Sequence, residues 1–197
     1  MSREKTSIKE MFNLAFKHFQ NNNLKQAEIL FEKILELDPN QFESIFYLGA
    51  LLARTRKFDK AVECYEKAIK INPNSAEIYN NLGNAYYDLG EYQKAISSYQ
   101  SALKINPNFT GIYFNLGSTL QDLEKYNEAI SYYQKAIQMN PNHVATHNNL
   151  GMAFNKLNKH QEAIKCFQKA NKIEPDNLTS HWLSMNTFPI IYENLKE

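Results

Sequence analysis

Apolar residues along this chain fall in short stripes with helical spacing, each closed by a polar break. In residues 76–109, Tyr79, Leu82, Ala85 and Tyr86 recur at i, i+3, i+6 and i+7, which places them on one face of a helix, helix A. Tyr92, Ala95, Ile96, Tyr99, Ala102 and Leu103 form a second stripe, helix B. Gly90 and Glu91 lie between them, a break suited to a helix C-terminus and a tight turn. Pro107 closes helix B, because the residue before a proline disfavours the α region.

This unit recurs along the chain. Pro39, Pro73, Pro107, Pro141 and Pro175 stand 34 residues apart, and so do Gly49, Gly83, Gly117 and Gly151. Ala27, Ala61, Ala95, Ala129 and Ala163 keep the same step, as do Leu14, Leu48, Leu82, Leu116 and Leu150. The period frames five repeats, 8–41, 42–75, 76–109, 110–143 and 144–177. The spacing predicts helix A/B pairs over 8–21/24–37, 42–55/58–71, 76–89/92–105, 110–123/126–139 and 144–157/160–173. Gly83 and Ala95 are small where two antiparallel helices approach closely, and Ala102 is small where the next repeat packs. One pair cannot bury its own apolar face; stacked neighbours build a continuous core, so the fold is all-α.

The ends depart from the pattern. Residues 1–7 read as an N-terminal extension, and repeat 1 carries Ala15, His18 and Ile34 in place of the small or aromatic residues of the other repeats. After Pro175 a sixth helix A is expected to begin at Leu178, and Pro189 falls where it should still be running. Residues 178–197 therefore read as a capping helix, Leu178–Phe188, followed by a tail or a junction.

Segments such as "AEIYNNLGNAYYDLGEYQKAISSYQSALKINPN" closely resemble the tetratricopeptide repeat family, and the resemblance covers 8–177. It implies a right-handed superhelical solenoid of antiparallel helix pairs, with helix A lining a concave groove that holds a partner polypeptide. It also implies that the second, fifth, sixth, ninth, twelfth and thirteenth residues of each repeat face that groove. At the sixth position stand Asn13, Tyr47, Asn81, Asn115 and Asn149, and neighbouring groove positions add Asn80, Asn84, Asn148 and Asn155. An Asn side chain offers one acceptor oxygen and two N–H donors, complementary to a peptide unit. The row is similar to the asparagine ladder in the repeat domain of O-linked N-acetylglucosamine transferases. That similarity implies sequence-tolerant capture of an extended chain, and as an alternative a substrate-recruiting N-terminal region of a larger glycosyltransferase. "FPIIYE" near the C-terminus looks like the junction of repeat proteins that continue into such a domain. Phe12, Phe16, Phe19 and Phe46 fall on groove positions of the first half, as an anchor for a partner, a surface for self-association through the terminal repeats, or packing against the N-terminus. The basic clamp of chaperone-binding family members is missing: its positions hold Glu43, Phe46, Tyr47, Glu77, Asn80, Asn81, Gly111, Phe114 and Asn115.

Charge and composition narrow the partner. The formal charge of +1 argues against a nucleic-acid surface and against a polybasic membrane anchor. No uninterrupted apolar run suggests a signal peptide or membrane insertion, and two cysteines, Cys64 and Cys166, form no disulfide framework, so a cytoplasmic setting is expected. His143 and His147 have a metal-like spacing, but His147 stands where Ile45, Tyr79 and Tyr113 stand in other repeats, a packing position. No phosphate loop or nucleophile elbow is present, so neither enzyme activity nor a cofactor is expected, and the partner is expected to be a protein or peptide.

Overall fold

The computed structural model describes residues 2–175 and Leu183, with side chains described from residue 7, and the elements among them are all α-helices. They fall into two compact units, Met1–Asn106 and Pro107–Glu197. The first holds α1 (Ser2–Gln20), α2 (Leu24–Leu37), α3 (Phe42–Arg54), α4 (Phe58–Ile71), α5 (Ala76–Asp88) and α6 (Tyr92–Ile105). The second holds α7 (Thr110–Asp122), α8 (Tyr126–Met139), α9 (Val144–Lys156) and α10 (His160–Ile173). Within each unit every helix packs on its successor. Successive odd-numbered helices, the A helices, also touch: α1 on α3, α3 on α5 and α7 on α9.

The B helices keep the expected bounds, and the A helices α3, α5, α7 and α9 each end one residue earlier. α1 departs more: it begins at Ser2 rather than at 8. Residues 2–7 contain neither Pro nor Gly, so nothing in the sequence stops the helix there. The expected capping helix, Leu178–Phe188, lies outside the described residues apart from Leu183.

The A–B turn is one device used five times. Asn22, Arg56, Gly90, Glu124 and Asn158 adopt positive φ, between 57° and 76°. The next residue's N–H then bonds a carbonyl five positions back: Asn23 to His18, Lys57 to Leu52, Glu91 to Tyr86, Lys125 to Leu120 and Lys159 to Phe154, at 2.8–2.9 Å. This satisfies carbonyls that the end of helix A leaves open. Gly90 alone fills the left-handed position with a residue that bears no Cβ penalty there.

Turn chemistry also explains much of the asparagine. Asp38, Asn72 and Asn140 cap helix B, and their side-chain oxygens accept from the N–H of Asn40, Asn74 and Asn142, bridging the proline between. The core is regular. Ala27, Ala61, Ala95, Ala129 and Ala163 are wholly buried, as are the rings of Phe31, Tyr65, Tyr99, Tyr133 and Phe167 to within 2%. A Cβ added at Gly83, Gly117 or Gly151 would stand 2.5 Å from the ring of Tyr99, Tyr133 or Phe167 in the following helix. The 34-residue glycine therefore follows from a ring seated on the backbone of helix A.

Candidate functional site: the faces of the A helices

The residues proposed from sequence to face a partner do not form one class. In the first unit, Tyr47 of α3 is the hub of an aromatic cluster. The rings of Phe12, Phe16, Phe19, Phe31 and Phe46 lie 4.9–6.4 Å from it, with Phe16 and Phe19 edge-on and Phe31 stacked. Arg54 lies 4.9 Å above Phe19 and donates to Asn22 Oδ1 at 2.9 Å, which closes one edge. Among the described residues the contacts seen are with Tyr47 rather than with the N-terminus: Phe12, Phe16 and Phe19 hold α1 against α3. Phe12, Phe16, Phe19, Phe46 and Tyr47 stay half-buried over the buried Phe31, so the cluster keeps an accessible surface. Asn13 of α1, at the sixth position of repeat 1, is exposed, while Asn80, Asn81 and Asn84 of α5 are half-buried. Asn84 Oδ1 accepts from Tyr99 at 2.7 Å, and Asn80 donates to Asn81. Burial pushes the Tyr99 hydroxyl well above its usual range.

In the second unit, Asn149 of α9 reaches the preceding repeat. Its Nδ2 donates to Ser118 Oγ and to the Tyr133 hydroxyl, each at 3.4 Å, and Tyr133 donates in turn toward Gln121 and Ser118. Burial, the dominant cause, raises the Tyr133 pKa. Asn148 is only 7% exposed, so it sits inside the joint rather than on an open face. Asn155 is exposed, and its Oδ1 accepts from His160 Nδ1 at 2.7 Å. Phe114 and Asn115 are half-buried at the N-terminal end of α7. They border a recess of about 290 Å³ shared with the end of α8 and the start of α9.

One relation was missed in the sequence. The sixth-position residue meets the ninth and twenty-fourth positions of the repeat before it: Tyr47 meets Phe16 and Phe31, and Asn149 meets Ser118 and Tyr133. Leu183 follows the same rule. It is half-buried and borders one pocket with Met152, Asn155 and Phe167. The chemistry is matched at the Tyr133–Asn149 joint, and the same residue types recur at that spacing along the sequence. Sixteen residues after Phe31 and Phe167 stand Tyr47 and Leu183, whereas sixteen after Tyr65, Tyr99 and Tyr133 stand Asn81, Asn115 and Asn149. A buried tyrosine hydroxyl needs a polar partner and a phenylalanine does not. The spacing Tyr-x15-Asn was the available signal.

The histidines are occupied structurally. His147 Nε2 contacts the carbonyl of Pro141 at 2.9 Å, as the Tyr113 hydroxyl does that of Pro107. His143 Nδ1 contacts Thr146 Oγ1, and its ring stands edge-on to Phe114 at 5.2 Å. Among the described residues no three His, Cys, Asp or Glu converge on a common point, and no helix is long and apolar enough to cross a membrane.

Family comparison bears on these faces. Models described as tetratricopeptide repeat or TPR repeat match residues 8–41, 30–63, 57–90, 76–109 and 110–173, together spanning 8–173. Comparison with curated proteins gives no match. Among solved structures, a crystal structure of MamA protein is 27% identical with a TM-score of 0.80, covering 85% of this chain and 92% of that one. MamA 41-end from Desulfovibrio magneticus RS-1 superposes with a TM-score of 0.82 at 20% identity over 86% and 96% of the two chains. YrrB, described as a TPR protein with an unusual peptide-binding site, has a TM-score of 0.78 at 22% identity over 92% and 97%.

Proposed function

For a chain that belongs to the tetratricopeptide repeat family, we propose a scaffold without chemistry of its own, which holds an extended or helical segment of a partner polypeptide on the faces of its A helices. One observation carries this reading. At the fifth and sixth positions of every repeat the side chains are amides and aromatic rings rather than the charged groups of an ordinary solvated face, and all but Asn148 are exposed or half-buried. Phe12, Asn13, Phe46, Tyr47, Asn80, Asn81 and Asn84 supply them in the first unit, and Phe114, Asn115 and Asn155 in the second. Asn148 is buried, and Asn149 is partly committed to the joint between repeats. Rings and amides together suit a peptide: rings bury its apolar side chains, and amides pair with its backbone.

The test is selection from a displayed library of random twelve-residue peptides on the full chain, followed by calorimetry. Enriched peptides should bind, and Phe46→Ala or Phe114→Ala should weaken them about tenfold, the loss typical of an interface anchor. Absence of any peptide enriched over a bare-support control would overturn the reading.

A further inference from the structure

The two units differ at the second position of the repeat, and the difference shapes one place. Lys9, Glu43 and Glu77 occupy it in repeats 1–3, whereas Gly111 and Ala145 occupy it in repeats 4 and 5. Loss of the charged side chains leaves the recess of about 290 Å³ at the N-terminal ends of α7 and α9. Gly111 and Ala145 border it, with the Phe114 ring, Ala136, His143 and the Asn115 amide. No Asp, Glu, Lys or Arg lines it. A Cβ placed on Gly111 would meet nothing nearer than the edge of Phe109 at 3.9 Å, so the space beside the backbone is open. The Phe114 ring is steadied by His143, itself tied to Thr146.

We propose that this recess receives an aromatic side chain of a bound peptide, and that Gly111 is the residue that keeps it open. The inference rests on the peptide-holding reading and adds to it the chemistry of one anchor. Size and charge select the occupant. A cavity of about 150 Å³ already accommodates benzene, so an open recess of about 290 Å³ takes a six-membered ring with its linking methylene. A lining without Asp, Glu, Lys or Arg offers no such counter-charge to a Lys, Arg, Asp or Glu side chain, which would lose hydration for little return. A ring entering beside Phe114 gains an aromatic contact. Asn115 and Asn140 border the same recess, within reach of the amides on either side of the inserted residue.

The test separates this inference from its premise. Isotope-labelled full chain is titrated with N-acetyl-phenylalanine amide and, separately, with N-acetyl-glutamate amide, and amide shifts are followed by NMR. The phenylalanine probe should move Gly111, Phe114 and Ala145 saturably, and the glutamate probe should leave them in place. Gly111→Leu, whose side chain fills the recess, should abolish the response, and Ala145→Leu is the second variant should the first perturb the fold. In the peptide selection, wild type should enrich an aromatic residue at one position, and Gly111→Leu should lose about tenfold in affinity for those peptides. Peptides captured with no aromatic preference, or phenylalanine shifts unaffected by both variants, would overturn the inference and leave the peptide-holding reading standing. Phenylalanine shifts at these residues with no peptide captured would overturn the peptide-holding reading and, with it, the peptide as the source of the ring, leaving a pocket for an aromatic ring alone.

Discussion

The pairing of Tyr133 with Asn149 makes a quantitative claim about what holds repeat 5 on repeat 4. Tyr133 is fully buried, and its hydroxyl lies 3.3–3.4 Å from Gln121, Ser118 and Asn149. These distances are long against the usual 2.7–2.9 Å, so each bond contributes toward the lower end of the ordinary range, about 0.5 kcal/mol. Tyr133→Phe should therefore cost about 0.5–1 kcal/mol, since Asn149 keeps its bond to Ser118. Asn149→Leu should cost about 1 kcal/mol, because an apolar side chain is then set against a buried hydroxyl. The double variant recreates the pairing seen at Phe167 and Leu183 and should return to within about 0.5 kcal/mol of wild type. Urea unfolding of the four proteins gives the coupling energy. Repeat arrays can open in part, so hydrogen exchange of α8 and α9 should accompany it to localise the change. If the two single costs simply add in the double variant, the sixth-position asparagine is not matched to the tyrosine, and its regularity has another origin.

Three further outcomes follow from named contacts. Gly117→Ala should cost about 2–3 kcal/mol in urea unfolding, because its Cβ would stand 2.5 Å from the Tyr133 ring, whereas Gly111→Ala, beside open space, should be neutral or mildly stabilising. Glu124→Gly should stabilise by about 0.5–1 kcal/mol, since φ of 57° burdens a side chain and not a glycine, and Gly90→Ala should cost about as much; thermal melts check both. Burial pushes the thiols of Cys64 and Cys166 up to about 11, so at pH 8 both are protonated, and iodoacetamide should label them more slowly in the native chain than after unfolding. Because the folded-state pKa is the raised one, their contribution to stability is complete below about 9 and is lost as pH rises toward 11, which pH-dependent melts would show.

Most of the fold was legible because its devices recur. A proline every 34 residues marks the end of each helix B, and a small residue in helix A marks where a ring sits on the backbone. What escaped was interaction between repeats. Phe12, Phe16 and Phe19 gave an apolar stripe, but that they gather around Tyr47 of the next repeat was not legible in it. The separate roles of the asparagines were likewise not legible. Within the groove row Asn84 and Asn149 pair with tyrosines and Asn148 is buried, while Asn72 and Asn140, outside that row, serve proline turns. The start of α1 at Ser2 was missed because the repeat frame, not local propensity, set the expected boundary.

A sixth-position asparagine engaged in the joint can still serve a partner, but with only one of its two faces. Both bonds of Asn149 run from Nδ2, to Ser118 and to Tyr133, so Oδ1 is the atom left to face a bound segment. An amide held this way accepts from a peptide N–H; it does not donate to a peptide carbonyl. Capture on this residue should therefore depend on a peptide hydrogen and be insensitive to loss of the Nδ2 donors. Asn149→Asp retains the acceptor oxygens and removes those donors, so it should weaken the repeat 4–5 joint while a selected peptide still binds. Asn149→Leu should weaken both. N-methylation along the peptide, one position at a time, should find one site where affinity falls about tenfold in wild type and Asn149→Asp but not in Asn149→Leu. Equal losses in all three proteins would mean that no peptide N–H meets this residue and that Asn149 serves the joint alone.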